Sequence, residues 1–409
     1  MELDISKIRN DFPGVNENFV FFDNAGGTQV VRQVTDRITD YLHNTNVQLG
    51  ASYATSVEAG KRVFEARKAW SQAINAKYNN EVVFGSSTTA LLQNLSRSLS
   101  QLYTPGDEII VTDCDHEANI GPWQELSKLG MVVKTWKINP STFSLELSDL
   151  EKLLTNRTKL VAFTHVSNIL GTINPIKEFT KFIHSHGARV CVDGVAYAPH
   201  RHIDVQDWNV DFYVFSLYKV YGPHYSLLYG KREILEELPG INHYFIGKKE
   251  TPYKLQPGNV NFELSYGCIG ILDYLDNLHN IHFSDSDKSL FQRMKLVFEL
   301  ISEHEEKLSK PLIEYLNRNP KTEIIGSHSY KKQDRVPTIS FIVKNTVSST
   351  IPAKVDNYKI GIRWGDFYAR RLIENLGFSD RDGIVRVSMV HYNTIQEVEK
   401  LIEVLDTII

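Results

Sequence analysis

The sequence predicts an α/β protein with a mostly parallel sheet, followed by a smaller α+β domain. Short apolar strands alternate with helical stretches between about residues 81 and 231, an order typical of a buried parallel sheet. From about residue 280 a long helix is followed by mixed short strands, which indicates a second unit. We therefore predict an N-terminal segment over residues 1–20 that packs with the small domain, a large domain over 21–279 and a small domain over 280–409.

The elements are predicted from the spacing of apolar residues. Strands of the large domain are predicted at 81–84, 108–112, 132–138, 160–164, 189–193 and 211–215. Amphipathic helices of this domain are predicted at 59–74, 91–99 and 176–185. The small domain is predicted to contain a helix at 284–309, strands at 338–343 and 384–389, and a final helix at 395–408.

Composition bounds the class of protein. The 409 residues carry 45 basic and 49 acidic side chains and no long basic run, so neither a nucleic acid nor a membrane surface is expected as a partner. No stretch of about eighteen apolar residues occurs, and the first residues lack the apolar core of a signal peptide, which predicts a cytoplasmic protein. The three cysteines, Cys114, Cys191 and Cys268, are widely spaced in apolar surroundings, which favours core residues over a disulfide set or a metal site.

Lys219 and Asp193 form the most informative pair. Asp193 ends one predicted strand, and Lys219 follows another strand 26 positions later. A lysine amine can hold an aldehyde cofactor as a Schiff base, while a carboxylate at the far end of a pyridine ring keeps its nitrogen protonated. Either residue alone is usually a surface lysine or part of a turn. Together they predict a lysine-bound pyridoxal phosphate.

A run of hydroxyl side chains precedes the helix predicted at 91–99. Ser87, Thr88 and Thr89 follow a strand and a glycine, and the amides at a helix N-terminus bind phosphate well. Such clusters are also common as simple N-caps. Ser216 and Tyr218 beside the lysine favour the phosphate-binding interpretation.

Ligands of α/β sheets bind at the carboxyl ends of the strands. Five polar residues lie at or just past predicted strand ends, namely Thr88, His116, Asn168, Asp193 and Ser216. His116 is predicted to stack on the cofactor and handle protons, and Arg386 to hold an amino-acid carboxylate through two hydrogen bonds. The alternatives are an ordinary loop histidine and a surface salt bridge.

These residues resemble those of class V aminotransferase-fold enzymes, particularly the cysteine desulfurases and cysteine desulfurase-like proteins. The similarity is nearly end to end and includes the runs FDNAGGT at 22–28, SNILGTINP at 167–175, VDG at 192–194 and HYNT at 391–394. The resemblance implies fold type I of the pyridoxal-phosphate-dependent transferases. That fold has a mostly parallel seven-stranded sheet in the large domain and a smaller α+β C-terminal domain.

The resemblance also implies roles for individual residues. Lys219 would form the Schiff base, Asp193 would pair with the pyridine nitrogen and His116 would stack on the ring. A homodimer is implied, with active sites near the interface and a phosphate contact donated across it from Asn259. The cofactor site implied in this way consists of Ser87, Thr88, Thr89, His116, Asn168, Asp193, Ser216, Tyr218, Lys219 and Asn259, and the substrate site of Asn24, Asn168 and Arg386.

Departures from the family pattern bear on the reaction. Tyr368 stands where desulfurases have the cysteine that accepts sulfur, and a phenol cannot form a persulfide. Ala196 stands where the family often has a glutamine or histidine, and the segment 46–53 lacks the histidine and arginine of many desulfurases. Persulfide transfer is therefore not expected, and the substrate is expected to differ.

The leading hypothesis is an enzyme that removes a group such as sulfur from the β-carbon of an amino acid, a C–S lyase without persulfide chemistry. Lys219 would move the α-proton, and Tyr368 or His116 would protonate the leaving group. Transamination, racemisation and decarboxylating deamination remain open, because the fold does not choose among them. A non-catalytic relative that binds pyridoxal phosphate is a further alternative. Four aromatic residues could form a substrate pocket or could simply pack in the core. They are Tyr53, Trp123, Tyr225 and Trp364.

Overall fold

A computed structural model describes residues 2–284 and 287–409. The helices are α1 (Ile5–Asn10), α2 (Arg32–Asn44), α3 (Ala54–Ala73), α4 (Thr88–Leu99), α5 (Gly121–Gln124), α6 (Leu147–Glu151), α7 (Ile176–Ser185), α8 (Val205–Trp208), α9 (Arg232–Glu237), α10 (Phe262–Gly267), α11 (Ile269–His282), α12 (Leu290–Arg318), α13 (Thr350–Val355), α14 (Arg370–Asn375) and α15 (Ile395–Ile408). The strands are β1 (Val20–Phe21), β2 (Val82–Gly85), β3 (Glu108–Thr112), β4 (Val132–Trp136), β5 (Thr158–Thr164), β6 (Arg189–Asp193), β7 (Phe212–Ser216), β8 (Ser226–Gly230), β9 (Thr322–Ile325), β10 (Thr338–Val343), β11 (Ile360–Gly361), β12 (Arg363–Gly365) and β13 (Ile384–Ser388).

The larger sheet has seven strands in the order β2-β8-β7-β6-β5-β3-β4. The five strands from β7 to β4 run parallel, whereas β8 is antiparallel to both of its neighbours. The mostly parallel seven-stranded sheet is confirmed. Strand β8 was not among the individually predicted strands. It follows β7 after a short connection and fills the position between β7 and β2.

Burial explains why the parallel strands are continuously apolar in sequence. Every residue of β7 is buried, because helices cover both faces of the sheet. Helix α4 buries Leu91, Leu92, Leu95 and Leu99, which recur at helical spacing and hold its N-terminus against the ends of β2 and β7. The residues just before α4 are thereby fixed beside the sheet edge.

The smaller sheet is antiparallel, with strands in the order β12-β13-β10-β9. Helix α15 packs against this sheet and matches the predicted helix at 395–408. It begins with a capping box, in which the Thr394 and Glu397 side chains each accept a hydrogen bond from the other's backbone amide. This sheet and its helices form a core that also contains Val20 and Phe22 from near the N-terminus.

Helix α12 connects the two cores. The predicted helix at 284–309 includes residues 285 and 286, which lie outside the described residues. In the described part, Ser289 caps the helix at Leu290, and the helix continues to Arg318 through Pro311. The first half of its buried face joins the larger core and the second half joins the smaller one.

The N-terminal segment contacts both cores. Strand β1 pairs in parallel with β11, while Leu3, Ile8 and Phe12 belong to the larger core. The Phe12 ring lies 4.8 Å from that of Tyr392 and 5.7 Å from that of Tyr221. The limits of the N-terminal segment and of the two domains at residues 20 and 279 stay predictions.

Within the described ranges, no helix combines the length and the apolar character that a membrane span requires. All three cysteines are free and buried. In the same ranges, His, Cys, Asp and Glu side chains do not come together in groups of three that could hold a metal ion.

Candidate active site

The ends of β6 and β7 bring the predicted lysine and aspartate to one edge of the sheet. Asp193 is the last residue of β6, and Ser216 ends β7 just before a single 3-10 turn over Leu217–Lys219. A cavity of about 90 Å³ lies at this edge. Nine of the ten predicted cofactor-binding residues line it: Ser87, Thr88, Thr89, His116, Asn168, Asp193, Ser216, Tyr218 and Lys219.

Lys219 and Asp193 are almost completely buried, with 6% and 4% of their surface exposed. Burial and, to a smaller extent, the positive charge of Arg386 lower the pKa of Lys219 to about 8, against the opposing effect of Asp193. Burial raises the pKa of Asp193 to about 6, although a hydrogen bond from the Val195 amide and the charge of Lys219 oppose this rise. At neutral pH the site therefore holds an ionised carboxylate and an amine with a substantial neutral fraction.

Hydroxyl groups cluster at the start of α4. Ser87 caps the helix by accepting a hydrogen bond from the Ala90 amide at 3.1 Å. The Thr88 and Ser216 hydroxyls lie 2.7 Å apart, and Ser226 lies 3.1 Å from Ser216. The first amides of any helix lack intrahelical partners, so this end of α4 offers N–H groups and hydroxyls to an anion.

His116 lies in the turn that follows β3. Its Nδ1 accepts a hydrogen bond from the Ala118 amide at 3.0 Å, which leaves the proton of the neutral ring on Nε2. Burial lowers the pKa of His116 to about 4, with the charges of Lys219 and Arg386 acting in the same direction. The ring is therefore neutral at physiological pH and suited to stacking on a planar ligand.

Asp115 is a buried acid that the sequence analysis did not single out. Its carboxylate accepts hydrogen bonds from Asn119 Nδ2 at 2.6 Å, from the Thr164 amide at 3.0 Å and from the Thr112 hydroxyl. Burial, with the charge of Asp193, raises the pKa of Asp115 to about 8. This network ties the His116 turn to the end of β5. Its only sequence signal is its place directly before His116.

Arg386 is buried on β13 and reaches the same edge of the larger sheet. Its Nη2 pairs with Asp23 Oδ1 at 2.9 Å, and its Nη1 donates to the Asn168 carbonyl at 3.1 Å. The Phe367 ring covers the guanidinium, with the ring centroid 3.8 Å away. Neither Asp23 nor Phe367 was predicted as part of the site.

The remaining predicted residues differ in their surroundings. The Asn24 amide group is buried and hydrogen-bonded to Phe21, Ser388, Asn393 and Tyr392. Both its oxygen and its nitrogen therefore already have protein partners, and its role in substrate binding stays a prediction. Asn259 lines a neighbouring cavity and not the one beside Lys219.

Tyr368 is 70% exposed at the mouth of the site, with its ring 5.3 Å from that of His116.

The four aromatic residues considered for a substrate pocket do not come together at the Lys219 cavity. Trp123 and Tyr225 are buried, whereas Tyr53 and Trp364 are exposed. Packing in the core therefore accounts for Trp123 and Tyr225.

Two buried polar atoms indicate that a ligand belongs in this site. Asn168 Oδ1 and Arg386 Nε are buried and have no hydrogen-bond partner among the described residues. Buried polar groups in native proteins are nearly always paired. The groups around the cavity match the parts of pyridoxal phosphate: a lysine amine for the aldehyde, an acid for the ring nitrogen, a neutral histidine for the ring face, and a helix N-terminus with hydroxyls for the phosphate. An amino-acid carboxylate would supply the missing hydrogen-bond partner of Arg386 Nε.

The sequence profile of the aminotransferase class-V family matches residues 20–401. The chain belongs to this family. It is accordingly a pyridoxal-phosphate-dependent enzyme of fold type I that is related to the cysteine desulfurases, as the resemblance implied.

Individual relatives agree with this assignment. The chain is 43% identical to the aminotransferase-like protein FGM3 of Gibberella zeae over 99% of this chain and 98% of the relative. It is 32% identical to the cysteine desulfurase-like protein ustD of Aspergillus flavus, over 100% and 91% of the two chains. Among solved structures, the cysteine desulfurase of Thermococcus onnurineus superposes with a TM-score of 0.87 at 26% identity, covering 100% of this chain and 98% of the other.

Proposed function

We propose that this enzyme is a C–S lyase that eliminates sulfur, or a similar group, from the β-carbon of an amino acid without forming a persulfide. The observation that carries the proposal is the absence of a usable thiol. Burial raises the pKa of Cys114, Cys191 and Cys268, and none of these cysteines lines the Lys219 cavity. Tyr368 occupies the mouth instead, so sulfur has no acceptor on the chain and leaves as a small molecule.

Pyridoxal phosphate, when bound, supplies an electron sink for negative charge at the substrate's α-carbon. The residues of the chain provide the binding groups and the proton transfers. Arg386 Nε, which has no hydrogen-bond partner in the described part of the chain, binds the α-carboxylate, and the buried Lys219 amine removes the α-proton. Burial excludes water from both groups, which strengthens their electrostatic effect.

The leaving group departs toward the His116 side of the cavity. Since the pKa of His116 is lowered to about 4, its ring donates a hydrogen bond from neutral Nε2 and does not act as a charged acid. Tyr368 is exposed beside it, so its hydroxyl can pass a proton from solvent to the departing group.

The direct test is product analysis of the purified holoenzyme. With L-cysteine we expect pyruvate, ammonia and sulfide to form in equal amounts, and with cystine pyruvate, ammonia and thiocysteine, in both cases without a thiol-labile persulfide on the protein. The matched control is Lys219→Ala, which should form neither. Pyridoxamine phosphate accumulating without pyruvate would contradict the lyase and indicate transamination. An absorbance spectrum that no amino acid changes would indicate a non-catalytic relative.

We further propose a cytoplasmic homodimer in which Asn259 contacts the cofactor phosphate of the partner. The support is that Asn259 lies outside its own Lys219 cavity. In addition, Tyr244 is 99% exposed and Phe245 is 67% exposed, as expected of aromatic side chains that a partner covers. Light scattering should give twice the mass of the chain. Mixing Lys219→Ala with Asn259→Ala protein should then restore cofactor affinity at one of the two sites of each mixed dimer. A monomer at micromolar concentration would contradict the proposal.

A further inference from the structure

Residues 366–371, which we term the closing segment, lie beside the Lys219 cavity, where Phe367 and Tyr368 contact the lining residues Asn168 and His116. Two of them, Phe367 and Tyr368, have left-handed backbone conformations, with φ of 52° and 59°. Neither residue is a glycine, and such conformations persist only where surrounding contacts hold them. The shape of the closing segment is therefore determined by its contacts with the rest of the site.

One set of contacts comes from inside the cavity. Asn168 Nδ2 donates a hydrogen bond to the Phe367 carbonyl at 2.9 Å, and the Phe367 ring packs on the Arg386 guanidinium. These contacts fix the first part of the segment against residues predicted to bind substrate. They do not reach Arg371, which lies in the first turn of α14.

The second set comes from Glu117, the residue after His116. Its backbone N–H donates to the Tyr368 carbonyl at 2.7 Å. Its two carboxylate oxygens accept hydrogen bonds from Arg371 Nε and Nη2, both at 3.0 Å. Glu117 thus holds the closing segment at two separate points, and the paired hydrogen bonds to Arg371 also specify its orientation.

We propose that Glu117 and Arg371 are positioning residues that keep the closing segment against the His116 turn as a fixed wall of the substrate site. A segment that delivers sulfur to a partner has to travel, but this one carries Tyr368 in place of a nucleophile. It can therefore stay in contact with His116 throughout the reaction. This inference rests on the proposed assignment of His116 and Tyr368 to the active site, and it does not require the reaction to be a lyase reaction.

The size of the effect follows from exposure. The Glu117 and Arg371 side chains are each 43% exposed, and exposed ion pairs contribute little to global stability. Local opening of a surface segment is more sensitive, because its free energy depends only on the contacts of that segment and not on those of the whole protein. Hydrogen exchange of the closing segment is therefore a better measurement than the melting temperature.

The test compares amide hydrogen exchange, by mass spectrometry, of a peptide spanning 361–370 in the holoenzyme. We expect Glu117→Gln and Arg371→Ala to exchange roughly fivefold faster than the wild type, as for the loss of one exposed ion pair. Arg370→Ala is the matched control, because Arg370 pairs with Glu374 on the same helix and does not contact the His116 turn. The exchanged pair, Glu117→Arg with Arg371→Glu, should return exchange toward the wild-type rate.

A second readout follows substrate binding through the absorbance of the bound cofactor. Both single variants should need several-fold more amino acid for half-saturation, and the exchanged pair should need less than either. Unchanged exchange in both single variants, or an equal change in Arg370→Ala, would overturn the proposal. If a single variant does not fold, the double variant Glu117→Arg with Arg371→Glu decides. Fast hydrogen exchange of the closing segment in that double variant would contradict the proposed role of the ion pair. A transaminase product pattern would refute the lyase reaction but leave these expectations intact.

Discussion

The two walls of the active site are held by different kinds of contact. The wall formed by the larger sheet consists of strand ends and buried groups, among them Asp193 and Lys219. The opposite wall is the closing segment, in which Tyr368 is 70% exposed and an exposed ion pair makes one of the contacts. The difference indicates that the wall proposed to bind the cofactor is set by the fold, whereas the wall proposed to meet the substrate depends on a few replaceable side chains.

The most severe way to break the buried wall is to remove its amine. Lys219→Ala should abolish the visible absorbance band that borohydride bleaches, and should lower turnover by at least about 10²–10⁴-fold through loss of proton transfer alone. Lys219→Arg is the matched control, because it keeps the charge but cannot form a Schiff base at neutral pH. A variant that kept both the band and the activity would show that another lysine holds the cofactor.

Arg386 lies where the two walls meet, so its replacement should affect binding more than chemistry. Arg386→Lys keeps the charge but loses the planar group that pairs with Asp23 and packs on Phe367. We expect KM to rise roughly tenfold to hundredfold, since a charged hydrogen bond in a buried site is lost, with a smaller change in kcat. An equal fall in kcat with unchanged KM would show that Arg386 does not hold the substrate carboxylate.

The burial of Lys219 should also affect how the rate of cofactor binding depends on pH. Only a neutral amine attacks an aldehyde, and burial lowers the pKa of Lys219 to about 8. The rate at which apoprotein takes up pyridoxal phosphate should therefore rise about tenfold per pH unit below 8 and level off above it. Asp193 raises the pKa of Lys219, so Asp193→Asn should move the midpoint to lower pH. A midpoint near 10 in the wild type would contradict this account of burial.

The same difference between the walls explains what the sequence could predict. Asp193 and Ser216 end apolar strands and Lys219 follows three residues after the second, so the parallel sheet places them at one edge and their proximity follows from local pattern. Glu117 and Arg371 are 254 positions apart, and no local pattern connects them. Asp115 and Asp23 were missed for the same reason, because each has a partner on a distant segment: Asp115 pairs with the Thr164 amide and Asp23 with Arg386.

The smallest expected effect concerns the Tyr368 hydroxyl on the exposed wall. Because this side chain is 70% exposed, solvent can take over the proton that its hydroxyl passes, and Tyr368→Phe should change kcat by less than about threefold. Tyr368→Cys sharpens the comparison, since it places a thiol at the position that we predict to match the family's cysteine, while Glu117 still holds the backbone carbonyl of residue 368. If the wall is fixed, a persulfide can form on this variant but should pass poorly to an external thiol. Rapid sulfur transfer by Tyr368→Cys would mean that the closing segment moves freely. Glu117 and Arg371 would then not hold this wall in place.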